Sequence, residues 1–194
     1  MKAHGHTLGL AAIEVLANQG SRAFTHRAVD RQAGLPEGTA SRYARTRAAL
    51  LELASDALLA EDRRAIARAL TGNGVVTTAP PQGADELAAL LVRATKALLA
   101  APERYRARVE LQLESARTPV LHTHYRYARD IFVEPLAEMV AALGHADSHQ
   151  TADLLVTTLD GILHRQLVLG QPSLTDSRLH TVFASVLLTL NHAE

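Results

Sequence analysis

The chain has 194 residues, 47% of them hydrophobic and only 4% aromatic, a length that can bury a sizeable core in one domain or in two unequal parts. The absence of cysteine excludes thiol nucleophiles, disulfides and thiolate metal sites. No apolar run approaches the roughly 20 residues of a membrane span, so a cytoplasmic protein without a membrane partner is expected. A net charge of zero hides an asymmetry: residues 1–50 carry seven basic against three acidic side chains, a surplus of +4 that the remaining residues cancel. Such a basic module on an acidic body points to an anionic partner, most commonly nucleic acid.

The Ala/Leu-rich composition predicts an all-α chain of about nine helices. Leu8, Ala11, Ala12, Val15 and Leu16 share one helical face, with Thr7 predicted to cap the start and Gly20 to end the helix in a left-handed turn. Glu14 inside this run fits an amphipathic helix better than a signal segment. Thr25 is predicted to cap a second helix that points Ala28, Val29 and Ala33 inward and stops at Gly34. A short third helix spans about Glu37 to Tyr43, and Thr46 caps a long fourth that carries Leu50, Leu51, Ala54 and Leu58 towards Leu70. "TGNGVVTTAPPQGA", residues 71–84, reads as a mobile loop. Beyond it, a fifth helix follows over 85–100, and Pro102 opens a sixth that runs to about Arg117. Pro119 starts a seventh that bends at Pro135 and ends at Gly144. The eighth, Asp147 to Leu169, and the ninth, Leu174 to Asn191, are more apolar than a one-sided surface helix requires.

Two short helices joined through Gly34, the second bearing Thr39, Ser41, Arg42 and Tyr43, have the layout of a helix-turn-helix. In that motif the second helix enters the major groove and its polar side chains meet base edges. Gly38 and Thr39 are small enough to let the backbone approach the duplex, and arginines on either side can neutralise phosphates. Without further information, the same residues also suit two packed helices of a bundle with a solvated arginine face.

At Gly20, Phe24, Thr25, Val29, Ala33, Gly34, Gly38, Thr39, Tyr43, Leu50 and Leu51, over about residues 7–55, the sequence resembles the TetR family of bacterial repressors. The resemblance implies an amino-terminal helix-turn-helix DNA-binding domain, residues 1–50, and a larger helical ligand-binding and dimerisation domain, residues 51–194. It implies phosphate contacts from Thr25 and from Arg47, which stands where lysine is usual, and a groove-facing set of Thr39, Arg42 and Tyr43. Arg27, Gly38, Ser41 and Thr46 complete the candidate DNA-binding residues, with Glu37 acting through the helix dipole or on a cytosine amino group. Three positions depart from the family pattern: Pro36 replaces the usual serine cap, Ser41 a common aromatic, and Ala44 the phenylalanine that anchors the recognition helix. The resemblance also implies a homodimer built on the last two helices, for which Leu155, Leu159, Ile162, Val182, Val186 and Leu190 are candidates. The simpler account of the eighth helix is a core helix of a monomer.

Tyr105, Gln112, Tyr125, Arg129 and His164 are polar or amphipathic residues on otherwise apolar helices, the composition of a small-molecule pocket or equally of satisfied helix interfaces. Catalytic and metal signals are weak. His145 and His149 stand at i and i+4 but lack a third ligand and read as a surface pair, while His4/His6 and His122/His124 diverge on a helix. No Glu-x-x-His, HExxH, phosphate-loop or dinucleotide motif occurs. Asp147, Ser148 and His149 are consecutive and cannot converge as a triad. Glu110 and Glu114 share a face; such a pair could be acid and base in an enzyme, but more often is a solvated face or pairs with Arg106, Arg108 or Arg117. No enzyme activity, metal or cofactor is expected. The expected function is a repressor that binds a pseudo-palindromic double-stranded operator and is released by an unknown small-molecule effector. The rival is an all-α binding protein or enzyme that never touches DNA.

Overall fold

A computed structural model describes residues 2–71 and 81–191, which form nine helices and no strand. They are α1 (Lys2–Ala23), α2 (His26–Gln32), α3 (Thr39–Tyr43), α4 (Arg47–Thr71), α5 (Ala84–Leu99), α6 (Pro102–Ser115), α7 (Pro119–Ala142), α8 (Ser148–Leu167) and α9 (Asp176–Asn191). The chain gathers into two compact units. One comprises Met1–Arg63 with Ala101–Ala128, the other Arg64–Ala100 with Arg129–Glu194, so α4 and α7 contribute to both. Most of the loop predicted at 71–84 lies outside the described residues.

The first unit is built on the apolar stripe of α1. Leu8, Ala12, Val15 and Leu16 are fully or almost fully buried and meet Phe24, Val29, Ala40, Leu50 and Leu51 in one core, to which α6 adds Ala107 and Leu111. Each buried leucine or phenylalanine contributes roughly 1.5–3 kcal/mol. α1 and α4 touch at Gly9, where a Cβ would lie 2.6 Å from the Cβ of Ala57, so only glycine fits between them. α4 and α6 are also joined by charge: Asp62, buried, meets Arg104 at 3.1 Å and accepts a hydrogen bond from Arg108. Burial pushes the Asp62 carboxyl above its ordinary value, against the pull of the two guanidiniums.

α1 begins at Lys2, so Thr7 is a helix-interior residue rather than the predicted cap. No proline interrupts the extra turn, and its Gly5 lies against the ring of Tyr43. Gly20 adopts φ 72° as its position predicts, yet a further helical turn follows it to Ala23. α3 starts at Thr39 rather than Glu37, because Gly38 is left-handed at φ 88°. Pro135 sits inside α7, which continues through it to Ala142.

In the second unit α5 buries Leu87, Ala88, Leu91, Thr95 and Leu98 at helical spacing and packs with α8 and α9. Those helices supply Leu155, Leu163, Leu179, Phe183 and Leu187 to the buried set. Arg129 on α7 reaches α8, donating to Asp153 at 2.9 Å, Thr157 at 2.7 Å and Asp160 at 3.3 Å. His145 is buried, which corrects the surface pair expected of it and His149; His149 lies 3.4 Å from Glu134.

Gly9→Val forces α1 and α4 apart, and the overpacking is expected to lower stability by about 1–3 kcal/mol, measured by urea denaturation. An unchanged midpoint contradicts the close approach.

Candidate nucleic-acid interface

The hydroxyl of Thr25 opens α2 by accepting from the Ala28 amide at 3.2 Å, as its position predicts. The helix stops before Gly34, whose φ of 65° turns the chain towards α3. Only five residues long, α3 is far below the length at which a helix persists on its own. Its stability must come from tertiary bonds.

Those bonds come from α2. Asp30, 1% exposed, accepts from the Gly38 amide at 2.8 Å through one carboxylate oxygen and from the Ala40 amide at 2.7 Å through the other. One helical turn earlier, the Nε2 of His26 donates to the Ala44 carbonyl at 2.6 Å, at the far end of α3. Both ends of the helix are thus held by side chains four residues apart on one face of α2. Ala40 and Ala44 are buried beneath α3, while Ser41, Arg42 and Tyr43 are exposed. Neither His26 nor Asp30 was among the expected site residues. The signal that could have found them is their i, i+4 spacing, with an acid set in an otherwise basic helix.

The remaining candidates occupy different surroundings. Thr39 donates to the Pro36 carbonyl at 2.6 Å and Ser41 to the Gly38 carbonyl at 3.0 Å, local bonds that shape the turn. Thr46 caps α4 through the Ala49 amide at 3.1 Å. Arg27 and Glu37 pair with each other at 2.9 Å with side chains 75% and 71% exposed, which makes the pair worth about 0–1 kcal/mol.

Arg47 has partners within the chain, while its side chain stays 44% exposed. It donates to the carbonyls of Phe24 and Ser21, the latter at 2.8 Å, and to the Ser21 hydroxyl at 2.8 Å. Its guanidinium lies over the Phe24 ring at 5.7 Å and 3.5 Å from Glu114 on α6. Glu114 and Glu110 in turn accept from the Ser21 hydroxyl and, at 3.0 Å, from the Ser21 amide. These partners replace the arginines expected for the two glutamates, because left-handed Gly20 turns the Ser21 backbone towards α6. With Arg22, Leu113 and Arg117 the same residues line a cleft of about 410 Å³. It contains none of the five residues expected to bind ligand.

Of those five, Tyr105 is buried and Gln112 and Tyr125 half-buried in the first unit; Arg129, bonded to α8, and exposed His164 belong to the second. Among the candidate dimer residues, Leu155, Leu159 and Ile162 are buried within their own chain, Val182 and Val186 are half-buried, and the Leu190 side chain lies outside the described residues. The exposed stripe of α8 lies one residue away, at Leu154, Thr157, Gly161, His164 and Val168, and α9 exposes Arg178, Thr181, Ser185 and Leu188.

A helix-turn-helix with an exposed, arginine-bearing second helix, followed by a wholly helical carboxy-terminal region among the described residues, defines the regulator class of this fold. Residues 82–188 match the family described as Tetracyclin repressor-like, C-terminal domain. The chain belongs to the TetR family of transcriptional regulators. Its fold is similar to that of a transcriptional regulator from Rhodococcus sp. Rha1, at 19% identity and TM-score 0.73 over 96% of this chain and 95% of that one. A TetR-family member from Streptomyces coelicolor A3 aligns at 22% identity and TM-score 0.68, covering 93% and 95% of the two chains. The multidrug binding protein EbrR, complexed with imidazole, aligns at 24% identity and TM-score 0.67 over 94% and 93%. No curated protein matches the sequence.

Removing the Arg47 side chain leaves the Ser21 and Phe24 carbonyls without this donor. With its side chain 44% exposed, Arg47→Ala is expected to cost about 0.5–1.5 kcal/mol in denaturant unfolding.

Proposed function

We propose that this protein is a homodimeric repressor that binds a pseudo-palindromic DNA operator and leaves it when a small molecule occupies the carboxy-terminal domain. The observation that carries this reading is α3 itself: its alanine face is buried and its Ser41–Arg42–Tyr43 face is exposed. Arg42 is the side chain best suited to a bidentate contact with guanine. Thr39 and Tyr43 face the groove beside it, Thr25 and Arg47 serve as phosphate contacts, Arg27, Gly38, Ser41 and Thr46 complete the set, and Glu37 holds Arg27 until a phosphate competes for it.

Two such helices must stand about 34–36 Å apart to enter successive major grooves, which requires a dimer. The stripe Leu154, Thr157, Gly161, His164, Val168 repeats at intervals of three and four residues, as a helix that packs on another helix requires. A Cβ at Gly161 would meet no atom of its own chain within 4 Å, so the space beside it is open to a second copy. This stripe, with Leu188 on α9, replaces Leu155, Leu159 and Ile162 as the proposed interface. A ligand that favours a different spacing of the two heads shifts the population off DNA without any chemical step. EbrR, which binds multiple drugs, supports an organic effector. We assign the expected effector contacts to Tyr105, Gln112 and Tyr125, and a ligand reaching Arg129 must displace its α8 partners.

The parent protein is expected to bind duplex DNA with a steep salt dependence, whereas the rival helical binding protein is not retained on random duplex at low salt. Arg42→Ala should lose about 1–3 kcal/mol against its own base pair and relax the preference there, read from binding to single-base operator variants. Leu188→Asp should yield monomers by sedimentation; a stable dimer moves the interface elsewhere.

A further inference from the structure

We infer that His26 and Asp30 are positioning residues for DNA recognition: a polar bracket on α2 that fixes α3 in place of the local cap and apolar anchor this chain lacks. The inference rests on the proposed DNA-binding function for its consequence, but on geometry alone for the bracket.

Pro36 has no side-chain acceptor for the first amides of α3, and Gly38, which precedes the helix, has no side chain at all. The carboxylate of Asp30 takes that place, reaching two amides, at 38 and 40, with its two oxygens. At the other end Ala44 is too small to anchor the helix by burial, since alanine buries little more than a methyl group. Its carbonyl instead accepts from the half-buried ring of His26. Asp30 also leaves no buried amide unsatisfied at a helix start, which otherwise costs more than a surface bond contributes. Because the two side chains project from one face of α2 a single turn apart, they set the direction of α3 as well as its existence. The exposed Ser41, Arg42 and Tyr43 are then aimed by two side chains of α2, Asp30 buried and His26 half-buried.

Amide hydrogen exchange of the full-length protein tests the bracket without DNA. In Asp30→Ala the Gly38 and Ala40 amides should exchange about 10- to 100-fold faster than in the parent, while the amides of α5 and α9 keep their protection. His26→Phe, which keeps a ring and removes the donor, should speed exchange at Ala44, whose amide bonds to Ala40. Operator titrations over a range of salt should show affinity falling at least tenfold in both variants with an unchanged salt slope, because no phosphate contact is lost. Adding Pro36→Ser to Asp30→Ala offers the Gly38 amide a local acceptor and should slow its exchange again, while the Ala40 amide stays fast. If the three amides exchange as in the parent, there is no bracket. Faster exchange with unaltered operator affinity overturns the positioning role. A parent protein that binds no duplex instead overturns the proposed function, and the exchange rates still decide the bracket.

Discussion

A five-residue helix cannot hold itself, and the use of this fold depends on where the carboxylate of Asp30 goes. Its two bonds to the Gly38 and Ala40 amides convert a turn-bound segment into a fixed surface. The charge is buried yet fully engaged, the condition under which a buried carboxylate stabilises rather than disrupts. Everything presented by Ser41, Arg42 and Tyr43 follows from that arrangement. α2 is itself fixed at its start by the Thr25 cap and through the turn before it, where Ser21 is gripped between Arg47 of α4 and the glutamates of α6.

The arginines of the amino-terminal region therefore do not form one uniform phosphate-facing set. Arg47 donates to backbone carbonyls and lies beside Glu114, so it ties the turn between α1 and α2 while its side chain stays 44% exposed. Arg27 is paired on the surface with Glu37. Arg42 lies on the exposed face of α3. Residues alike in charge and close in sequence divide into a clamp, a surface pair and a candidate base contact. What separates them is which acceptors the folded backbone brings within reach.

Local signals carried much of the fold. Thr25 and Thr46 cap where their hydroxyls can reach an amide three residues on, and Gly34 and Gly144 turn left-handed where the helices stop. Pro102 opens α6 as an N1 proline. Thr7 misled because a cap signal is only permissive: the preceding residues also form helix, and the chain took the longer option. The partners of Asp30, His26, Arg47 and Glu114 were illegible for a different reason, since each acceptor or donor is remote in sequence or offered by a backbone whose direction only the turns at Gly20 and Gly38 determine. Apolar periodicity in α8 had a further ambiguity. It marks a face that leaves water without saying whether its own chain or another covers it, and Leu155, Leu159 and Ile162 proved to be covered by their own.

The magnitudes also constrain how such a regulator can be switched. Melting α3 breaks two bonds to a buried carboxylate and one from His26, and the charged pair alone is worth about 3–6 kcal/mol. Coupling between a ligand site and a distant site is typically about 1–3 kcal/mol. In the proposed repressor, an effector of ordinary strength therefore does not unfold α3 to release DNA. Changing the distance between two intact heads needs no broken bond within either, only a preference of the ligand for one spacing over the other. In the proposed dimer, a recognition helix tied at both ends thus favours motion of the head as a whole.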